Sequence, residues 1–126
     1  LNDHFINTIM TAGVNTNIAI FTSGTVRDDA MLFNLGYLDQ TEIARLQANS
    51  VGDIVSRFLT ADGSVADTDI NNRTVGIPLA ELRNKDYSIL VSGSAKKVPS
   101  MHAALTGGFA NVLITDSTSA KALLSY

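Results

Sequence analysis

Two adjacent cations, Lys96 and Lys97, stand just ahead of a helical stretch whose first turn holds Pro99. Proline suits that position because its missing N–H would have no intrahelical partner there. Both ammonium groups therefore lie at the positive end of a helix dipole, where a solitary pair is mildly unfavourable. An incoming phosphate or carboxylate reverses that sign, since it meets free backbone N–H groups as well as ammonium charge. The segment 93–97, opening on Gly93 and Ser94, is accordingly the best anion site in the chain. The competing reading is two solvated surface lysines costing roughly a few tenths of a kcal/mol.

Asp53 follows Gly52 at the mouth of a strand, where a carboxylate accepts hydrogen bonds from sugar hydroxyls or simply caps a turn. Gly24, between Ser23 and Thr25, lets a ligand approach the backbone closely, although small residues at a strand exit are also ordinary turn chemistry. The catalytic inventory is thin. His4 and His102 are the only histidines and show no metal-ligand spacing, and neither a nucleophile elbow nor a complete phosphate loop occurs. Asp28-Asp29 and Asp67-Thr68-Asp69 lack the alternating oxygen ligands of a calcium loop and read as solvated turns. No catalytic residue, metal site or cofactor is expected.

Positioning these groups requires an α/β frame. Phe5, Ile6, Ile9 and Met10 share a helical face that Asp3 caps and Gly13 ends. The apolar run 18–21 reads as a buried strand leaving into a small-residue loop, and such strand exits are where α/β proteins place ligands. Asp39 and Glu42 have the spacing of a capping box, with a carboxylate at each end, ahead of Ile43 and Leu46 on one helical face. The β-branched and aromatic run 54–59, followed by Asp62-Gly63 and Val65, predicts a β-hairpin. Pro78 sits in the first turn of a short helix carrying Leu79 and Leu82.

The last third is the clearest. A strand over 88–91, a loop over 92–97, a helix over 98–105 and Gly107-Gly108 lead to a strand over 112–114. A helix capped by Asp116 then turns Ala120, Leu123 and Leu124 inward. Such β-α-β-α alternation implies parallel strands joined by right-handed crossovers, with helices covering the sheet.

With 126 residues, 45% hydrophobic and 17% charged, the composition is that of one folded domain spanning 1–126, without repeats, low-complexity tracts or linkers. Nine Lys+Arg against 12 Asp+Glu leave a small negative charge, so the chain lacks the basic footprint of direct nucleic-acid binding. The absence of cysteine excludes a disulfide framework and a thiolate metal site, and fits a cytoplasmic protein. No apolar run approaches the roughly 20 residues of a membrane helix, and no signal peptide opens the chain. It opens on Leu1 rather than Met and closes on Tyr126 directly after a helical pattern, as a piece of something longer would.

Taken in order, Gly36-Tyr37-Leu38, Val51-Gly52-Asp53-Ile54 with Arg57-Phe58, Asp62-Gly63, and Asn71, Arg73 and Gly76-Ile77 form a recognisable series. It continues through Gly93 and Lys97, Ala103-Ala104-Leu105 with Gly108, and Val112-Leu113-Ile114-Thr115-Asp116 with Ala120 and Leu123-Leu124. This ordered set, covering nearly the whole chain, resembles the C-terminal half of the effector-binding domain of SorC/DeoR-type bacterial sugar-responsive transcriptional regulators. The resemblance implies a Rossmann-like parallel sheet with a β-hairpin insertion, the fold shared with sugar-phosphate isomerases and CoA transferases. It also implies that the domain senses a sugar or phosphosugar and alters how a helix-turn-helix, absent from this chain, grips DNA. By position Lys97 matches the family lysine near the ligand's anionic group, and Asp53 the acid near its hydroxyls. The family's earlier Gly/Thr-rich loop, part of its phosphate cradle, is also absent. Thr22, Ser94 and Pro99 depart from the family pattern, Ser94 replacing the second glycine of a Gly-Gly pair.

The leading expectation is therefore a sugar- or phosphosugar-binding effector domain, part of a homo-oligomeric regulator, with ligand contacts at Gly24, Asp53, Gly93, Ser94 and Lys97. An isomerase on the same fold, with Asp53 as general base, is one alternative. An oligomerisation module with a vestigial pocket is the other.

Overall fold

The structure is a computed structural model that describes residues 2–126. Its centre is a three-stranded parallel sheet in the spatial order β1 (Ile18–Phe21), β4 (Tyr87–Val91), β5 (Val112–Ile114). Helix α5 (Val98–Thr106) makes the crossover between β4 and β5, and α6 (Ser117–Leu124) closes the series, as the alternating pattern predicts. Between β1 and β4 lie α2 (Gln40–Asn49), the hairpin β2 (Gly52–Ile54) and β3 (Arg57–Leu59), and the short helices α3 (Thr68–Arg73) and α4 (Leu79–Arg83). A Rossmann-like α/β sheet with an antiparallel hairpin insertion is thus the observed architecture.

Burial follows two clusters. Leu90, Ile54, Leu59, Met101, Ala103 and Ala104 are fully enclosed where one sheet face, α5 and the hairpin meet. Phe33, Ile43, Leu46, Phe58 and Ile70 form the second, in which the Phe33 and Phe58 rings stack with centroids 5.9 Å apart. β3 faces both clusters, with Leu59 in one and Phe58 in the other, because successive strand residues point to opposite faces.

Several local expectations are corrected. The run 54–59 is not one strand: the chain reverses at Val55 and Ser56, whose φ values are 47° and 65°. Neither residue carries the Asn-Gly signature of such a turn, and burial of residues on both sides of it dictates the reversal. The Asp62-Gly63 turn does form, one strand later, closed by Thr60 N–H to Ser64 O at 2.8 Å and a bridge between Leu59 and Val65. Asp67-Thr68-Asp69 is no solvated turn, since Asp67 accepts from the Ile70 N–H at 3.0 Å and starts α3. Asp39 caps α2, but the Glu42 carboxylate turns to Arg73 at 2.7 Å instead of completing the capping box. In α6 it is Ser119 that is enclosed, whereas Leu124 is 88% exposed, pointing away from the core on the last turn.

The first helix, α1 (His4–Val14), starts on the Asp3 cap as predicted but runs through Gly13. Lys85, almost fully buried, finishes it: its ammonium donates to the carbonyls of Gly13, Val14 and Thr16 at 2.8, 3.0 and 2.8 Å. A cation on the last carbonyls is favoured by the helix dipole. No residue of α1 is buried, and Ile18 and Ile20 of β1 are 54% and 71% exposed, so the strand read as buried is covered on one face only.

Arg57 organises the stretch between α3 and α4. Its guanidinium, in a residue 6% exposed, donates to the carbonyls of Asn71, Gly76 and Ile77 at 3.0, 2.9 and 3.1 Å and to Asn71 Oδ1 at 2.9 Å. Carbonyl dipoles carry this charge, and burial holds its pKa below the ordinary arginine value. Replacing Arg57 with Met leaves those carbonyls unpaired and is expected to cost about 3 kcal/mol in urea unfolding. Arg57→Lys recovers only part, because one ammonium cannot reproduce the planar fork.

Candidate functional site

A cavity of about 440 Å³ opens at the strand exits, between the loop after β1, the β2–β3 turn and the 3-10 turn Ala95–Lys97. Its position follows from one splice. Gly24 N–H donates to Asp53 O at 2.9 Å and Asp53 N–H to Gly24 O at 3.4 Å, with Ser23 bridging antiparallel to Ile54. The loop after β1 is thereby zipped to β2. Two glycines permit this approach: a Cβ on Gly24 would lie 2.2 Å from an Asp53 carboxylate oxygen, and one on Gly52 would lie 2.2 Å from Gly24 O. Gly52 further adopts φ 153°. A hydrogen bond of 2.7 Å between the Ser23 and Ser92 hydroxyls then ties the exits of β1 and β4 together.

Asp53 sits in this cavity with its carboxylate largely buried. One oxygen accepts from the Ser56 N–H at 3.2 Å, donated by the left-handed turn. Desolvation pushes its pKa above the ordinary value of 3.8; the Ser56 N–H and the Lys97 charge pull the other way without cancelling it. Lys97 and Lys96 also line the cavity, Lys96 in a loose 3.9 Å pair with Asp29. Hydroxyls of Thr22, Ser23, Thr25 and Ser56 lie among the lining residues, with Phe21, Met31 and Val55 supplying apolar surface. Cations, a carboxylate and hydroxyl-bearing residues in one lining suit a polyol that carries an anionic group.

Of the residues singled out in the sequence, the fold brings Gly24, Asp53 and Lys97 into one lining. Gly93 and Ser94 stand outside it, facing the start of α6. Ser94 N–H donates to Asp116 Oδ2 at 3.2 Å, and a Cβ on Gly93 would fall 2.7 Å from the same oxygen. Ser94 holds φ 87°, a conformation that favours glycine. The Asp116 carboxylate also takes the Ser119 N–H and hydroxyl, both at 2.8 Å, and these bonds lower its pKa to about 2. A backbone donor counted toward the anion site is therefore already engaged by a protein carboxylate. Sequence reasoning missed the segment 29–32 and the turn at Val55 and Ser56. The segment carries no periodic pattern because it enters a single 3-10 turn, Met31–Phe33, and the turn lies inside a run whose composition is that of a continuous strand.

Residues 1–125 match the family model "Sugar-bind: Putative sugar-binding domain". The chain belongs to this family. The sugar-binding domain is 51% identical over 123 residues to the deoxyribonucleoside regulator of Bacillus subtilis (strain 168), covering 98% of this chain and 39% of that one. Its fold matches the full-length sorbitol operon regulator SorC from Klebsiella pneumoniae with a TM-score of 0.86 at 29% identity, over 98% of this chain and 40% of SorC. A DeoR family transcriptional regulator from Listeria monocytogenes aligns with a TM-score of 0.88 at 28% identity, over 97% of this chain and 50% of that one. All three carry the names of transcriptional regulators and none that of an enzyme, and the domain spans two fifths to half of their lengths. Among the described residues no group of three His, Cys, Asp or Glu is placed to hold a metal, and no helix is long and apolar enough to cross a membrane.

The raised pKa of Asp53 has a sign that can be checked. Between its ordinary value and the raised one the folded chain binds the extra proton, so stability falls as pH rises through that interval, and above it the buried carboxylate is a standing cost. Asp53→Asn keeps an acceptor for the Ser56 N–H and removes the charge. The variant is expected to melt higher than the parent at about pH 7, with the difference shrinking toward about pH 4, in thermal unfolding followed by circular dichroism. A parent that melts higher at neutral pH would contradict this account of Asp53.

Proposed function

We propose that the chain is the effector-sensing part of a bacterial transcriptional regulator of sugar metabolism, binding a sugar or phosphosugar at the strand exits. Asp53 accepts hydrogen bonds from ligand hydroxyls, Lys97 holds the anionic group with Lys96 beside it, and Gly24 leaves room at the backbone. Gly93 and Ser94 contribute by shaping the turn that delivers the lysines. The ligand shifts a conformational or oligomeric equilibrium, and a DNA-binding segment elsewhere in the full-length cytoplasmic regulator changes its hold on the operator. No chemistry is performed on the ligand.

The observation that carries this reading is the convergence of Asp53 and Lys97, far apart in sequence, on one cavity at the carboxyl ends of parallel strands. Ligands of open α/β sheets bind at such exits. An unpaired, desolvated carboxylate facing cations costs stability without a ligand, which is characteristic of binding sites. The isomerase alternative finds no support among the relatives.

Thermal unfolding in the presence of sugars, phosphosugars and deoxyribonucleosides tests the reading, the last because the Bacillus subtilis relative is named for them. A true effector at about 100 times its Kd is expected to stabilise the chain by about 2.7 kcal/mol, a shift of several degrees. Lys97→Ala is expected to abolish the shift for a phosphorylated effector, and Asp53→Asn to weaken it while raising the melting temperature of the free chain. A shift that survives both substitutions would overturn the assignment of the site.

A further inference from the structure

The cavity at the strand exits is lined by four charged side chains, Asp29, Asp53, Lys96 and Lys97. Two carboxylates and two ammonium groups bring its formal charge to zero before any ligand enters. The two lysines are nevertheless unlike. Lys96 Nζ stands 3.9 Å from Asp29 Oδ2, whereas Lys97 has no ion pair among the described residues and meets Asp53 only as a charge at longer range.

Asp29 is held in place by the residues around it. The Gln47 amide, on α2, donates to Val26 O at 3.0 Å and to Asp28 Oδ1 at 2.8 Å, and the Asn34 amide donates to Ala30 O at 2.9 Å. Ala30 N–H to Arg27 O at 2.9 Å closes the turn between them. The Asp29 carboxylate itself takes no hydrogen bond among the described residues, and Lys96 is its one charged partner. A pair this loose, with side chains 70% and 48% exposed, adds little to stability. Its consequence is for charge. The fields of Asp29 and Lys96 largely cancel beyond the pair, so Lys97 is the cation left to meet an anion. A second anionic group would have to draw Lys96 away from Asp29 and then sit beside that carboxylate, where like charges repel.

We propose that Asp29 is a specificity-determining residue that restricts this cavity to ligands with one anionic group. A polyol with a single phosphate or carboxylate seats it on Lys97 and leaves the Asp29–Lys96 pair in place. A bisphosphate or diphosphate is rejected because Asp29 holds the cation that its second group requires, and rejection by an unfavourable charge is as much a part of specificity as attraction. The inference rests on the reading of this cavity as an anion-binding site and adds to it the number of charged groups on the ligand.

Inorganic phosphate and pyrophosphate make the comparison whatever the sugar is. Their dissociation constants are measured by amide chemical-shift titration at a fixed ionic strength of about 0.15 M, where exposed charges more than about 8 Å apart are screened. The parent chain is compared with Asp29→Asn, Asp28→Asn and the double variant Asp29→Asn/Lys96→Ala. Asp28→Asn removes the same charge from a neighbour outside the cavity lining and keeps an oxygen for Gln47. The parent is expected to bind pyrophosphate no more than ~3-fold tighter than phosphate. Asp29→Asn is expected to tighten pyrophosphate at least ~10-fold and phosphate less than ~3-fold, while Asp28→Asn leaves both within ~2-fold of the parent. The double variant is expected to lose the pyrophosphate gain. A parent that already prefers pyrophosphate ~10-fold overturns the proposal, as does an Asp29→Asn variant that tightens both anions alike or neither. So does a pyrophosphate gain that Asp28→Asn reproduces or the double variant keeps, since that reports general charge rather than a released lysine. These outcomes leave the anion site standing. No shift with either anion in any of the proteins overturns the anion-site reading and this inference together.

Discussion

The splice between the loop after β1 and strand β2 is the constraint on which the rest of the structure depends. The paired hydrogen bonds between Gly24 and Asp53 join the parallel sheet to the hairpin, and the hairpin joins the two hydrophobic clusters through the alternating faces of β3. The approach is closer than any side chain allows: Gly52 and Gly24 meet where a Cβ on either would collide with backbone or carboxylate. A substitution at Gly52 would therefore separate the sheet from the hairpin and remove the floor of the cavity together.

Three ionisable groups, two buried and one half-buried, show how differently the fold treats charge. Arg57 and Lys85 are surrounded by main-chain carbonyls that satisfy their donors in full, and both serve to hold segments together, residues 71–77 in one case and the end of α1 in the other. Asp53 is less deeply buried, and its carboxylate takes the Ser56 N–H and feels the Lys97 charge, with no ion pair of its own among the described residues. A buried charge is stabilising only when its hydrogen bonds are complete, so Asp53 is left with bonding capacity directed into the cavity. The left-handed turn that supplies the Ser56 N–H places a β-branched residue, Val55, at positive φ, a conformation proteins retain mainly where function requires it.

The sheet is finished on one side only. Its core face packs against α5 and the hairpin, while the opposite face presents the same residue types to solvent. The strands are thus apolar in both directions: one face has its helix, and the other is uncovered among the described residues. The cavity lies at the carboxyl ends of the same strands.

Local order determined much of this protein. The strand and helix limits of the last third, the caps at Asp3, Asp39 and Asp116, and the choice of Asp53 and Lys97 as candidate ligand contacts follow from periodicity, capping chemistry and an ordered family resemblance, all of which act over a few residues or are read position by position. The tertiary structure alone decided what depends on distant partners. It turned the run at 54–59 back on itself because burial on both sides outweighed a weak turn signal, and it converted Asp67 from a loop acid to a helix cap. It engaged Ser94 with Asp116, and so separated Gly93 and Ser94 from the cavity that Gly24, Asp53 and Lys97 share. It also set which face of each strand is covered, since an apolar residue is written alike whether its neighbours come from this chain or from elsewhere.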